Sequence, residues 1–383
     1  MATKLHKPPS APPNSPNPKL ATKMSSSLFE KLPDEVILKV LSFVSFKSLG
    51  NCNQVSHRIR KIAEDTSLWI NVRASLKVIP TGFLEKIVAS KVQSISFQKC
   101  EVYPVNLDFL RDNNLDLKYL DISSSYSNPE FISALVKCSR SLEYLNLHQS
   151  SSSVVDKCIK NMAYQNNLKV LSVNDVNLDY YCIKEIIDKC SELTDLGISS
   201  AILSNTSIEY ICKNLTSNTL RLDISSNEVK DEHIQSLVER CKNLQHLDFS
   251  ETKVTYKSVT TIVTALSHSI VSLSFPNNVG MEIGLPNDVS MEFSSLIKSK
   301  MTKLENLHIA CFLYDSDASD YDYMEALDGL GIRSSTEVLA KIFPKLTIGR
   351  DRGCSGYKIM KTDPCYHFYE PKFKEVTFLG STI

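Results

Sequence analysis

The chain has 383 residues, and its 43 lysines and arginines balance 43 aspartates and glutamates, so the formal net charge is zero. This balance argues against a protein built chiefly to coat nucleic acid or an anionic membrane, and we expect neither as a partner. Hydrophobic residues make up 42% and charged residues 22% of the chain, which is ordinary for a globular fold and excludes a wholly disordered one.

Cysteine usage indicates the compartment. The 11 cysteines include no pair at the C-x-x-C spacing that zinc ribbons and thioredoxin-like motifs need. The N-terminus lacks the apolar stretch of a secretory signal, and no segment approaches the ~18 apolar residues of a membrane span. We therefore expect free thiols in a reducing compartment, the cytoplasm and/or the nucleus, with no metal and no cofactor.

Residues 1–24 form a separate compositional zone. Six prolines fall between Pro8 and Pro18, and the first acidic residue is Glu30. The composition predicts a disordered, Pro-rich and mildly basic arm. Ser15-Pro16 is a minimal proline-directed phosphorylation site, so a regulatory tail and a plain solvated arm both remain open.

Residues 25–72 are predicted to form three short helices. Pro33 suits a first helical turn, where the acidic Asp34 is also favoured by the helix dipole. Apolar residues then recur at helical spacing in three groups. The groups are Val36, Ile37, Val40, Leu41 and Val44; then Phe46, Leu49 and Val55; then Ile59, Ile62, Leu68 and Trp69. So small a unit has only a marginal hydrophobic core. We therefore expect the apolar surface that it leaves exposed to pack against the next domain or another protein.

From residue 92 onward the chain repeats the pattern apolar-x-x-apolar-x-apolar, which marks a leucine-rich-repeat strand. The middle anchors are Ile95, Leu120, Leu145, Leu171, Leu196, Leu222, Leu247 and Leu273. Their separations are 25, 25, 26, 25, 26, 25 and 26 residues, too regular for chance. Helical stretches lie between the strands. The sequence thus predicts an α/β solenoid over residues 73–352, a leucine-rich-repeat horseshoe of about ten repeats with a parallel concave sheet.

The predicted helices between the strands are Phe131 to Cys138, Val154 to Tyr164, Tyr181 to Cys190, Glu232 to Cys241 and Lys257 to Leu266. Cys138, Cys190 and Cys241 close their helices at an equivalent position. This recurrence favours small buried apolar residues over any metal or redox role.

The register loosens after residue 275. Leu304-Leu307-Ile309 and Phe343-Leu346-Ile348 are predicted as two further strands, and Phe373-Val376-Phe378 as a candidate eleventh copy. Residues 314–325 form a predicted exposed acidic loop, which lacks the 12-residue spacing and central glycine of a calcium loop. The aromatic-rich tail at 353–383 either folds back to shape a binding site or caps the open end.

Residues between the anchors are predicted to point outward from the concave sheet, since side chains alternate along a strand. Nine strands at ~4.8 Å spread over roughly 40 Å. The column after the middle anchors contains no Lys or Arg, which disfavours a nucleic-acid groove and favours a polypeptide partner. The candidate substrate contacts are Tyr119, Asp121, Tyr144, Asn146, His148, Asn174, Arg221, Asp223, His246, Asp248 and His308.

The segments Leu32-Pro33-Asp34-Glu35, Val55-Ser56-His57-Arg58 and Ser67-Leu68-Trp69 resemble an F-box, and with the repeats that follow the chain resembles the F-box/leucine-rich-repeat proteins. Two departures are Ile59, where an aromatic is usual, and Lys47-Ser48, near which an acid is common. The resemblance implies docking on a Skp-type adaptor and, through it, on cullin and RING subunits of a ubiquitin ligase. The implied adaptor contacts or their support are Leu32, Pro33, Ile37, Val40, Leu41, Leu49, Val55 and Trp69.

By this resemblance the repeats capture a protein substrate. Whether that substrate must be phosphorylated, and whether a Cks-type accessory protein takes part, stays open. No phosphate-loop, dinucleotide-binding, nucleophile-elbow or zinc-protease motif is present, and nothing orients Cys365 as a nucleophile beside His367. We therefore expect a non-catalytic substrate receptor. The alternative is a repeat-based interaction scaffold with no link to ubiquitin transfer.

Overall fold

The computed structural model describes most of the chain between residues 31 and 310 and three short segments beyond it. The predicted arm at 1–24 and the predicted acidic loop at 314–325 lie outside the described residues. In the described part, no helix combines the length and the apolar character needed to cross a bilayer. The described ranges are 31–44, 46–52, 54–74, 78–104, 106–110, 114–162, 166–276, 295–297, 299–310, 347–350, 356–360 and 374–376.

Three short helices open the described chain: α1 (Asp34–Leu41), α2 (Phe46–Cys52) and α3 (His57–Ala63). Pro33 precedes α1 with extended backbone, and two acidic residues occupy the first turn, where the helix dipole stabilises them. Ser56 caps α3 by accepting a hydrogen bond from the Ile59 backbone N–H at 3.2 Å. A 3₁₀ turn at Thr66–Trp69 then leads into the sheet.

A long sheet follows, and its strands recur at the predicted spacing. In chain order the described strands are β1 (Asn71–Ala74), β2 (Ser94–Ser96), β3 (Glu101–Val102), β4 (Tyr119–Asp121), β5 (Tyr126–Ser127), β6 (Tyr144–Asn146), β7 (Val170–Ser172), β8 (Asp195–Gly197), β9 (Arg221–Asp223), β10 (His246–Asp248), β11 (Ser272–Phe275), β12 (Asn306–Ala310), β13 (Thr347–Arg350), β14 (Gly356–Met360) and β15 (Lys374–Val376).

Nine of these strands carry the predicted anchors and lie side by side in parallel, from β2 to β12, without β3 and β5. Their anchors pair in register: Leu120 lies opposite Leu145, and Leu222 opposite Leu247. The strand β1, which the sequence pattern did not predict, joins them in parallel beside β2. A parallel sheet with alternating helices is consistent with an α/β solenoid.

The helices that alternate with the strands are α4 (Thr81–Ala89), α5 (Pro129–Cys138), α6 (Ser152–Lys160), α7 (Tyr180–Lys189), α8 (Asn205–Asn214), α9 (Asp231–Arg240) and α10 (Tyr256–Leu266). Their apolar sides pack on the sheet, so one core runs from the α1–α3 unit to the last repeats. The five predicted helices are confirmed within a few residues at each end, and α4 and α8 are two additional ones.

The cysteines at helix ends line this core. Cys190 and Cys241 are buried, and the Cys241 thiol lies 3.5 Å from the Thr216 carbonyl of the preceding repeat. Burial raises the pKa of Cys190 to about 12 and that of Cys241 to about 11. The burial of Cys190 and Cys241 agrees with the predicted structural role, whereas Cys138 is only half-buried.

The C-terminal strands depart from the prediction. Phe343-Leu346-Ile348 was expected to continue the parallel array, but β13 pairs antiparallel with β14, and β14 is antiparallel to β12. The candidate eleventh copy does not follow in order either, because β15 pairs with β1 at the opposite end of the sheet. The apolar spacing was read correctly as strand, but spacing alone carries no information about strand direction or neighbour.

A small second ladder lies beside the first repeats. Strand β3 pairs in parallel with β5, so that Glu101 lies opposite Tyr126. Val78 forms an isolated parallel bridge to Glu101 on the other side. The first two repeats therefore carry an extra edge of extended chain where their main strands end.

Candidate functional site

Helix α1 presents an apolar side to solvent. Val36 and Val40 are each 42% exposed, and Phe43, one turn after Val40, is 78% exposed. Val36 and Val40, at i and i+4, share one side of α1, and Phe43 lies in the turn that follows, where its backbone N–H donates to the Val40 carbonyl at 3.1 Å. These three exposed residues are called here the α1 apolar face. Val55, in the turn before α3, is 71% exposed. A monomer gains nothing from leaving such side chains in water, so the surface is suited to a partner.

The predicted adaptor contacts divide into two groups. Val40, Val55 and Pro33 are exposed, and Leu32 is half-buried. The other four lie in the internal core and can support an interface only indirectly: Ile37, Leu41, Leu49 and Trp69. The sequence reasoning missed Val36 as a contact and did not consider Phe43, although its i+7 spacing from Val36 was a usable signal.

Two contacts fix the geometry of the α1–α3 unit. Arg58 of α3 donates to Asp34 Oδ1 at 2.8 Å and to the Leu32 carbonyl at 2.5 Å, which holds the start of α1 against α3. Trp69 meets Phe83 of α4 edge-on with ring centroids 6.2 Å apart. The Lys86 ammonium lies 4.1 Å from the Trp69 ring centroid, and burial lowers the pKa of Lys86. The unit is thereby joined to the first repeat.

At the N-terminal end of the sheet, the predicted contact side is closed rather than open. Tyr119 and Tyr144 stack with ring centroids 4.1 Å apart, and they are only 4% and 8% exposed. Asp121 is buried and accepts a hydrogen bond from Gln98 Nε2 at 2.6 Å. Stacking and hydrogen bonding already occupy these three side chains, so they are less accessible than the sequence suggested. Their role as substrate contacts stays a prediction.

The polar column after the anchors performs a structural task. Asp121, Asn146, Asp223 and Asp248 each accept a hydrogen bond from the backbone N–H two residues further on, at 2.9–3.1 Å. These bonds form the turn that follows each strand. Asn174 is buried and accepts from the Ser199 backbone N–H of the next repeat. The four bonds of the column thus stay within one repeat, whereas the Asn174 bond joins two repeats.

Further along the sheet, at β8 to β10, the predicted contact side is partly exposed and charged. Arg221 Nη1 lies 3.3 Å from Asp195 Oδ1 of the neighbouring strand. Burial and the adjacent Asp248 carboxylate raise the pKa of Asp223 to about 7. Burial and the Arg221 guanidinium lower the pKa of His246 to about 4, so this imidazole is neutral at physiological pH.

The remaining predicted histidines are less informative. His148 Nδ1 lies 3.7 Å from Asp175 Oδ2, at the edge where the strands end. His308 belongs to β12, but its side chain lies outside the described residues. Among the residues that the structure describes, no group of three His, Cys, Asp or Glu side chains is placed to hold a metal ion.

One comparison with known families gives a match. The family model described as F-box-like matches residues 29–75, which contain the α1–α3 unit and the α1 apolar face. An F-box-like domain is therefore present at the N-terminal end of the array. It suggests an F-box protein that docks on Skp-type adaptors.

Proposed function

We propose that this chain is the substrate-recognition subunit of a Skp–cullin–F-box type ubiquitin ligase. In this role the F-box-like domain docks on the adaptor, and cullin and RING subunits are reached through it. The solenoid is a leucine-rich-repeat horseshoe that holds a protein substrate for ubiquitination. The observation that carries the proposal is the α1 apolar face, which lies within the F-box-like match and is exposed.

The division of labour is physical. The buried apolar residues of the F-box-like domain hold its helices on the first repeat. The exposed apolar residues supply an apolar surface for an adaptor groove. The chain itself is a non-catalytic receptor in the cytoplasm and/or nucleus. It raises the local concentration of substrate near the transferring enzyme.

A finer resemblance extends the proposal. The half-unit at 75–90, the irregular first repeat and the long tail after the last strand resemble S-phase kinase-associated protein 2. By that resemblance the substrate is a cell-cycle protein. Substrate phosphorylation and a Cks-type accessory protein are then open questions for the same assays.

The decisive experiment is adaptor co-purification with Val40→Asp and Phe43→Asp. Burying such an apolar side chain under the adaptor contributes about 1.5–3 kcal/mol to the free energy of binding. Each change replaces that side chain with a carboxylate, which is costly to bury. We expect loss of at least about tenfold in adaptor binding for either variant. Tyr181→Asp is the matched control, because Tyr181 on α7 is also an exposed aromatic and lies outside the F-box-like match.

Undiminished adaptor binding in both variants would contradict the proposal and favour the alternative, an interaction scaffold without a link to ubiquitin transfer. Circular dichroism of each variant shows whether the repeats remain folded. Reconstitution with cullin and RING subunits then tests whether bound substrate is ubiquitinated.

A further inference from the structure

The small ladder beside the first repeats carries an exposed aromatic surface. Tyr126 is 73%, Val78 61% and Tyr103 55% exposed. Glu101 lies between Val78 and Tyr126 in the ladder register. Val102 is buried while Glu101 and Tyr103 are exposed, so the latter two point to the same side. These four residues, Val78, Glu101, Tyr103 and Tyr126, are called here the tyrosine patch.

The tyrosine patch is local to the first two repeats. The position five residues after the end of each main strand is Glu101 and Tyr126 in these repeats, and Ser151, Asn177, Glu228 and Lys253 in others. Apart from Ile202, the later members are polar. Two neighbouring exposed tyrosines beside a carboxylate are therefore a feature of this place and not of the repeat.

The spacing of the rings selects a type of ligand. Neighbouring strands lie ~4.8 Å apart, and the Cα atoms of residues i and i+2 of one strand lie ~6.6 Å apart. The Cα atoms of Tyr126 and Tyr103 are therefore roughly 8 Å apart on the diagonal. A polyproline II helix repeats every three residues with a rise of ~3.1 Å per residue, which places prolines of a P-x-x-P segment ~9 Å apart. Exposed aromatic rings at this separation are the surface on which such segments dock.

We propose that the tyrosine patch binds the Pro-rich N-terminal arm of this same chain. The arm contains Pro9-x-x-Pro12 and Pro13-x-x-Pro16, and lysines flank the prolines at Lys7 and Lys19. Glu101 has no ion-pair partner among the described residues and lies between the apolar members of the patch, so it complements one of these lysines. The inference is independent of the proposed function.

The arm is long enough to reach. The prolines lie 13 to 23 residues before Lys31 in the sequence, a reach of about 45–80 Å for an extended chain. Arg58 holds the Leu32 carbonyl, and only 13 residues separate Arg58 from β1. The patch begins beside the end of β1, because Cys100, the residue before Glu101, donates its thiol to the Ala74 carbonyl at 3.3 Å. A path from Lys31 to the patch is therefore shorter than the arm.

The test is site-specific photo-crosslinking in the full-length chain. Tyr126 is replaced by p-benzoylphenylalanine, which keeps an aromatic ring at an exposed position. We expect the crosslink to join the tryptic peptide that contains the prolines and ends at Lys19. Mixing ¹⁵N-labelled and unlabelled protein before irradiation distinguishes a crosslink within one chain from a crosslink between two chains.

The same probe at Asn177, the equivalent exposed position of a later repeat, is the matched control and should give at most a third of that yield. The double variant Glu101→Gln with Tyr103→Ser should lower the Tyr126 yield at least threefold while circular dichroism stays unchanged. Equal yields at Tyr126 and Asn177, crosslinks only between chains, or crosslinks only to other segments would overturn the proposal.

Discussion

Two aspartates on neighbouring strands oppose each other, and this makes Asp223→Asn a stabilising change. Asp223 lies directly opposite Asp248 on the neighbouring strand. Burial and the Asp248 charge raise the pKa of Asp223 from 3.8 to about 7. Because the folded-state pKa is the higher one, the stability that Asp223 contributes is complete below about pH 4 and is lost as the pH rises toward 7.

The size of the effect follows from the shift. About three pKa units at about 1.4 kcal/mol each give an upper bound near 4 kcal/mol in the free energy of unfolding. The carboxyl group keeps partial contact with water, which screens the repulsion, so we expect Asp223→Asn to gain about 1–2 kcal/mol at pH 8. At pH 5 the gain should be about a third of that, because folded Asp223 is then largely protonated.

The substitution keeps the turn intact. Asn146 occupies the equivalent position of an earlier repeat and accepts the His148 backbone N–H at 3.0 Å, the bond that Asp223 makes to Ser225. An asparagine at 223 can therefore accept the same bond without a charge. Any gain in stability then reports the removed repulsion and not a new contact.

The assay is urea unfolding followed by far-ultraviolet circular dichroism at about pH 5 and about pH 8. A mirror variant provides the control: Asn146→Asp places a carboxylate opposite Asp121 and should destabilise the protein, more at pH 8 than at pH 5. Equal stability of Asp223→Asn and the wild-type protein at pH 8 would refute the reasoning.

Three further predictions follow from the same contacts. Gly197→Ala should cost about 1–3 kcal/mol in the free energy of unfolding, because the new Cβ would lie 2.9 Å from Asn174 Oδ1; Gly82→Ala, where nothing lies within 4 Å, is its control. His233 Nδ1 accepts the Lys230 backbone N–H at 3.0 Å, and burial lowers the pKa of His233. Stability should therefore fall as the pH drops below about 6.5, and His233→Gln should reduce that fall; an unchanged acid profile would contradict it. Cys158 and Cys190, whose pKa burial raises to about 12, should react with maleimide only after urea unfolding, and rapid labelling of the native protein would count against their burial.

The repeat could be predicted from sequence because each strand places an apolar anchor at the same position as its neighbours. Each anchor such as Leu145 or Leu222 is buried between two identical neighbours, so the same spacing had to recur. Strand β1 was not predicted because only two of its residues, Val72 and Ala74, are buried, which is too short a pattern to recognise. Six turns also gave no local signal. Their non-glycine residues adopt φ of 51–56°, and each donates its backbone N–H to a carbonyl of the next repeat: Lys99, Ser124, Gln149, Asp175, Ser200 and Ser226.

The candidate surfaces were harder to predict than the fold. Trp69 and Phe43 are both large hydrophobic residues and cannot be told apart from sequence alone, yet Trp69 lies in the core and Phe43 is exposed. The stacking of Tyr119 on Tyr144 and the cross-repeat bond of Asn174 depend on neighbours 25 residues away. Alternation along a strand indicates which side of the sheet a residue occupies, but not what already covers it.

The pairing of β15 with β1 has a consequence for biosynthesis. On the ribosome, residue 374 follows residue 71 by 303 residues, and at about 5–20 residues per second the interval is roughly 15–60 s. Throughout that time the first strand of the nascent sheet lacks its final neighbour on one side, and an unpaired strand edge is an aggregation hazard. Since α2 lies against β15, the last contacts of the F-box-like domain form only after residues 374–376 have been made.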